Sequence, residues 1–402
     1  MIAGLTLIVR DVGIAEDLAH DALVAALEQW PESGIPENPG AWLMSTAKHR
    51  AVDFFRRNTM ADRKHEDLGR DYAAREQTMP DFDASLDDPI GDDLLRLIFI
   101  ACHPVLPKEA RIALTLRLLG GLTTDEIARA FVSTEPTIAQ RIVRAKRTLS
   151  EKRVPFEIPR GAELNQRLAS VLEVIYLVFN EGYTATAGDD WMRPSLCEEA
   201  LRLGRTLATL APGEREVHGL VALMEIQASR SKARTGPGGE PILLMDQNRG
   251  QWDQLLIQRG LAALARARNL SRAPGPYTLQ AEIAACHARA REPQQTDWQR
   301  IVRLYAELAE ILPSPVIELN RAVAVSMASG PEKALELVDR LLSDQRMQNY
   351  HLLPSARADF LKKLGRLDEA RAEFERAASL TRNEQERKLL LDRARDCASP
   401  RP

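Results

Sequence analysis

Apolar residues recur at steps of three and four along nearly the whole chain, and no stretch alternates apolar with polar positions as a half-buried strand would. The pattern predicts an all-α protein. Within residues 1–57, "IAEDLAHDALVAALEQW" and "AWLMSTAKHRAVDFFRR" read as amphipathic helices joined by a turn rich in proline and glycine. In the second helix Leu43, Ala47, Ala51 and Phe54 fall at core spacing, and Asn38 before Pro39 is positioned to cap it. Periodicity lapses over 58–93, where eleven Asp or Glu face four Lys or Arg, so this stretch reads as a flexible acidic linker. It resumes at "DDLLRLIFIACHPVL" and ends near Arg153, before the proline-marked joint "VPFEIPRG".

Inside that second helical block, "GLTTDEIARAFVSTEPTIAQRIVRAKRTL" predicts a short helix, a tight break and a longer helix. Thr123 and Glu126 form a capping box, with Leu122 stapled to Ile127. Ile127, Ala128 and Phe131 face inward, and Ser133 or Thr134 starts the longer helix, whose buried stripe is Ile138, Ile142, Ala145 and Leu149. The other faces carry Thr137, Gln140, Arg141, Arg144 and Arg147, and residues 138–153 hold six Lys or Arg against one Glu. A helix-turn-helix of this kind reads DNA in the major groove through the N-terminal part of its second helix. The plainer alternative is a solvated hairpin whose basic end complements its own dipole.

From about residue 164 onward the segments are rich in alanine and leucine. "GPEKALELVDRLL" and "GRLDEARAEFERAASL" echo each other with Ala334 over Ala370, 36 positions apart, each after an earlier helix. This is close to the tetratricopeptide period and predicts a repeat-like helical extension over 164–402. The exception is the glycine-rich excursion "SRSKARTGPGGEPILLMDQNRGQWD" at 229–253, too long for a plain connector.

Charge narrows the chemistry. With a net charge of −3 over 402 residues the chain is not basic throughout, so a nucleic-acid surface has to be local. A second local patch exists on the 42–57 helix, where Trp42, Ser45, Thr46, His49 and Arg56 share the face opposite the core and Lys48, Arg50 and Arg57 lie nearby. An exposed indole beside cations suits an unpaired base on a held backbone, although a lone tryptophan is more often core. Upstream, Asp11, Glu16, Asp17, Asp21 and Glu28 stand against Arg10 alone, a face suited to a basic protein partner. Four scattered cysteines and no apolar run long enough for a membrane span lead us to expect a reduced cytoplasmic chain. Neither Cys102–His103 nor Cys286–His287 chelates a metal by itself, since neighbours on a helix point about 100° apart. "FNEGYTATAGDDWMRPS" gathers Glu181, Tyr183, Asp189 and Asp190, readable as a ligand or catalytic pocket or as a helix-connecting turn; no Ser, His and Asp constellation or phosphate loop supports an enzyme.

A DNA-opening helix, a duplex-reading helix, an acidic tether and an acidic docking face together describe a promoter-recognition subunit. Residues 14–57 resemble region two of the extracytoplasmic-function sigma factors of the sigma-70 family, and 92–152 resemble their region four. The remainder resembles the long tetratricopeptide-like extension of one subgroup. "NPGAWLMSTAKHRAVDFFRR", "DDPIGDDLLRLIFIACHP", "LTLRLLGGLTTDEIARAF", "YLVFNEGY" and "NRAVAVSMASGPEKAL" carry the match. The resemblance implies a region-two domain over 1–57, a linker over 58–91, a region-four domain over 92–153 and the extension over 164–402. It implies that Asp17, Leu18 and Asp21 dock the beta-prime coiled coil of core RNA polymerase, with the beta flap as a second contact. Asn38, Trp42, Lys48, His49, Arg50, Arg56 and Arg57 would engage the melted minus-10 element. Thr134, Glu135, Thr137, Gln140, Arg141 and Arg144 would read the minus-35 element, while the acidic linker threads the polymerase channel. No cofactor is expected; an unidentified protein or small ligand is the expected occupant of the repeats. Relatives often carry asparagine at His49 and proline at Thr134, and usually about one more helical turn before Ile2, so a shortened first helix is expected. The alternative to a sigma factor is a ligand-sensing regulator that binds duplex DNA without polymerase; a distant third is an enzyme using the 181–190 loop.

Overall fold

The computed structural model describes residues 1–65, 90–131, 133–159, 161–185, 187–188, 190–270 and 273–398. Most of the acidic stretch, 66–89, lies outside the described residues, as does Asp189. The chain divides into two compact units, one formed by 1–128 and 134–174, the other by 129–133 and 175–402.

The first unit starts with α1 (Ile2–Val9), α2 (Val12–Ser33) and α3 (Pro39–His65). Arg10 closes α1 in the left-handed conformation at φ 53°, and Asp11 caps α2 by accepting from the backbone of Gly13 (2.8 Å) and Ile14 (3.0 Å). Asn38 caps α3, its Oδ1 accepting from Ala41 N at 3.1 Å. The core of the three helices is built largely of alanine, with Ala15, Ala19, Ala22, Ala47 and Ala51 all at 3% exposure or less around Leu5 and Leu18. Small side chains let α2 and α3 approach closely. Next come α4 (Ile90–Ala101), α5 (Lys108–Leu118), α6 (Thr124–Ala130) and α7 (Glu135–Glu151).

The first half of α8 (Gly161–Tyr183) belongs with these helices. Arg167 donates to Phe99 O at 3.2 Å, Ser170 donates to Cys102 O at 2.6 Å, and Arg111 reaches both Ser170 and Glu173. Those bonds tie a segment expected to open the extension onto α4 and α5.

The second unit continues through α9 (Pro194–Leu210), α10 (Arg215–Ala228), α11 (Gln254–Asn269), α12 (Pro276–Arg289), α13 (Trp298–Ile311), α14 (Pro315–Ser329), α15 (Pro331–Leu341), α16 (Leu352–Lys363), α17 (Leu367–Leu380) and α18 (Glu384–Ala398). Consecutive helices pack on each other throughout. The two echoed segments form matching hairpins, α14–α15 and α16–α17, turning at Gly330 (φ 100°) and Gly365 (φ 76°), and both Ala334 and Ala370 are fully buried. Only glycine takes such φ values without steric cost. One feature lies outside the all-α expectation: β1 (Ala187–Gly188) pairs in parallel with β2 (Arg382–Asn383), and the Asn383 side chain donates to Ala185 O and Asp190 O. The first loop of this unit is thereby stitched to its last helix pair.

Candidate nucleic-acid interface

The helix-turn-helix forms from its local sequence signals. Thr123 N donates to Glu126 Oε2 at 2.8 Å while Glu126 N donates back to Thr123 Oγ1 at 3.2 Å, a reciprocal box that fixes where α6 begins. Thr134 caps α7, and its hydroxyl lies 2.7 Å from that of Thr137. Glu135 accepts from Thr124 at 3.4 Å, linking the two helices across the turn. Ile138, Ile142, Ala145 and Leu149 are all at 5% exposure or less, as the spacing predicts, and the three large ones contribute roughly 1.5–3 kcal/mol each by leaving water. Ile127 and Ala128 are buried with them, whereas Phe131, expected inside, is only half-buried.

Opposite that stripe lie Thr137, Gln140, Arg144 and Arg147, exposed, with Arg141 half-buried beside them. Not all of the helix's positive charge is free. Arg147 pairs with Glu151 at 2.6 Å and Lys146 with Glu16 of α2 at 2.5 Å. Arg141 and Arg144 have no ion-pair partner among the described residues, so they carry the available field of this face.

On α3, Ala47 and Ala51 are fully buried, Leu43 and Phe54 are half-buried, and Ser45, His49 and Arg56 are exposed. Lys48 and Arg50 are half-buried; Asn38 is exposed at the helix start. The Arg57 side chain lies outside the described residues. The expected exposed tryptophan needs correction: Trp42 is half-buried and stands edge-on to Trp30, ring centroids 5.4 Å apart at 63°. The cause is the length of α2, which runs through Pro31 to Ser33 and brings Trp30 over the first turn of α3. Arg50 is also partly committed, pairing with Asp21 at 3.4 Å.

The acidic face of α2 is sorted by helix geometry. At about 100° per residue, Asp17, His20, Asp21, Leu23, Val24, Leu27 and Glu28 fall on one stripe about 160° wide, and all seven are exposed. Leu27 reaches 77% exposure. Leu18 does not share that stripe: it is 6% exposed and packs in the three-helix core, since it points about 100° away from Asp17. Its expected docking role is corrected on that ground. Val24 and Leu27 supply the exposed apolar surface instead. Glu16, expected on the outer face, turns inward, accepts from Arg117 of α5 at 2.9 Å and forms an ion pair with Lys146 of α7.

The two Cys–His pairs are packing groups. Burial pushes the Cys102 thiol up to about 11, and its sulfur sits 3.3 Å from Thr115 Oγ1; His103 is pushed down to about 4, chiefly by burial and then by Arg167. Burial raises Cys286 as well, and His287 falls to about 3 through burial, Arg230 and Arg249. In the 179–195 loop Glu181 pairs with Arg193, while Tyr183 stacks on Phe179 with centroids 5.5 Å apart. Asp190 is exposed.

Comparison with known proteins follows the same division. Residues 5–60 match the sigma-70 region 2 family and residues 96–149 match sigma-70 region 4. Residues 167–268 match a family of unknown function, DUF6596. An uncharacterized protein of Rhizobium meliloti (strain 1021) is 43% identical over 379 residues, covering 94% of this chain and 88% of that protein. The chain belongs to the sigma-70 family, as an extracytoplasmic-function-like sigma factor with a C-terminal extension. Its role is promoter recognition and transcription initiation through core RNA polymerase and promoter DNA; sigma factors are DNA-binding initiation factors rather than enzymes. No described helix is long and apolar enough to cross a membrane.

Proposed function

We propose that this sigma factor docks core polymerase through the exposed stripe of α2, reads the minus-35 element with α7 and holds the melted minus-10 element on α3. The observation that carries the reading is the face of α7, where Arg141 and Arg144 stand without an ion-pair partner among the described residues beside Thr137 and Gln140. Thr134 and Glu135 complete the end that would enter the major groove. On α2, Asp17, Asp21 and Glu28 flank Val24 and Leu27, a mixture of negative charge and apolar surface that suits the beta-prime coiled coil. The beta flap is the expected partner of the region-four helices. On α3, Asn38, Trp42, Lys48, His49, Arg50, Arg56 and Arg57 would meet unpaired DNA. The acidic stretch between α3 and α4 would thread the polymerase channel, and the extension would regulate the whole by binding a protein or small ligand.

In vitro transcription tests this. Core polymerase with the full chain should initiate at defined start sites on genomic fragments where core alone does not, and the chain without polymerase should bind promoter duplex weakly. A folded chain that never supports initiation would sink the proposal. The extension is tested by truncation after Tyr183 rather than near residue 164, because Arg167 and Ser170 bond to α4 and the turn after it. Unaltered rate and start site in that truncation would remove the regulatory role.

A further inference from the structure

Arginines of the second unit are mostly matched to carboxylates. Arg205 meets Glu225 at 2.7 Å, Arg300 and Arg268 share Glu282, Arg357 meets Asp339 at 2.8 Å, and Arg393 meets Asp359. Three arginines of the 229–253 excursion break the pattern. Arg234, 6% exposed, lies 3.5 Å above the centre of the Tyr183 ring and 5.5 Å from that of Trp191, donating to Tyr183 O and Thr184 Oγ1. Arg249, 9% exposed, lies 5.0 Å from the Trp252 ring and donates to His287 O, Ala290 O and Thr296 Oγ1. Arg230 sits between them, 5.7 Å from both the Tyr183 and Trp252 rings, donating to Tyr183 Oη at 2.6 Å. None of the three has a carboxylate ion-pair partner among the described residues.

Carbonyl dipoles and ring faces offset part of the cost of withdrawing a cation from water, but they leave its net charge unopposed. The unopposed field is visible in neighbouring groups. Burial lowers Arg249 and then Arg230 lowers it further; His287 is depressed by burial and by both Arg230 and Arg249. Several polar atoms here are buried with no hydrogen-bond partner among the described residues: the donors Trp191 Nε1, Trp252 Nε1 and Arg249 Nε, the acceptor Gln247 Oε1, and His287 Nδ1, which takes either role. Arg230 differs from the other two because it is only half-buried and uses a single amino group, leaving the rest of its fork for a ligand. A carboxylate brings one negative charge. A phosphate group brings about −1.5 to −2 and three acceptor oxygens, which suits three clustered cations better.

We infer that Arg230, backed by Arg234 and Arg249 and walled by Tyr183, Trp191 and Trp252, binds the phosphate group of a small phosphorylated ligand. This deepens the reading of the extension as a sensing unit, but binding is measured without polymerase, so its outcome stands apart from any transcription result. The full chain is titrated with inorganic phosphate and, separately, with a sugar phosphate, following tryptophan fluorescence and heat at constant ionic strength. Saturable binding of either supports the site, and the tighter of the two identifies the source. Arg230→Gln should weaken it about tenfold or more, as loss of a charge-assisted hydrogen bond implies, and Arg230→Lys should weaken it less. Circular dichroism confirms that each variant is folded; if Arg230→Gln is not, Arg230→Lys carries the test and should still weaken phosphate binding measurably. Absence of saturation by both ligands, or affinity unchanged in the folded variants, overturns the site.

Discussion

The two basic helices, α7 and α3, carry the same apolar spacing but differ in what covers their outer faces. On α7 the four residues at core spacing are buried and the polar residues opposite are largely outside, because the core they pack on comes from helices close by in the chain. On α3 the spacing also identifies the core face, with Ala47 and Ala51 fully buried, yet the opposite face is partly covered by Trp30 and partly neutralised by Asp21, both from α2. A periodicity says which side of a helix meets its own core. It is silent about what a second helix lays across the other side.

Four variants probe that contrast, the largest effect first. Arg141→Ala with Arg144→Ala should weaken holoenzyme binding to minus-35 duplex about 100-fold, at roughly 1–3 kcal/mol per contact, and flatten the salt dependence by about two counterions. Binding measured across a salt series checks this, and an unchanged slope would take α7 out of the interface. Next, Trp42→Ala should reduce open-complex formation by about tenfold, since stacking on an unpaired base is worth roughly 1–3 kcal/mol. Trp30→Ala separates the two roles of that indole: it removes the edge-on contact but leaves Trp42 to stack, so its open-complex yield should stay closer to wild type. Equal losses in both variants would mean that Trp42 acts by packing alone. The smallest effect belongs to Asp21→Asn, which releases Arg50 from a pair whose side chains are 39% and 54% exposed. An exposed pair is worth about 0–1 kcal/mol, so thermal unfolding should barely move, while competition for core polymerase would reveal any loss of docking.

Local signals in the sequence specified much of what was found. The Thr123–Glu126 box, the Asn38 cap and the Thr134 start all formed as short-range chemistry requires, and the Ala334 and Ala370 echo became two hairpins of the same design. What stayed hidden depended on distant partners. The resemblance places Leu18 with Asp17 on the docking face, although one helical step turns it into the core. The exposure of Val24 and Leu27 was legible: they share the stripe of Asp17 and Glu28 while alanines occupy the opposite side. The arginines of the excursion gave no signal of their own, because their meaning depends on Tyr183 at the end of α8 and Trp191 in the loop after it, some forty to fifty residues earlier.

Glu16 has a consequence for the logic of mutation. A single carboxylate, 15% exposed, holds one cation from α5 and another from α7. Removing Arg117 or Lys146 alone leaves the other grip intact, so either loss is cushioned, whereas losing the acid releases both at once and leaves two like charges facing each other. The joint between α2 and the region-four helices is therefore redundant on its basic side and has a single point of failure on its acidic one, and the energies of the three substitutions will not add.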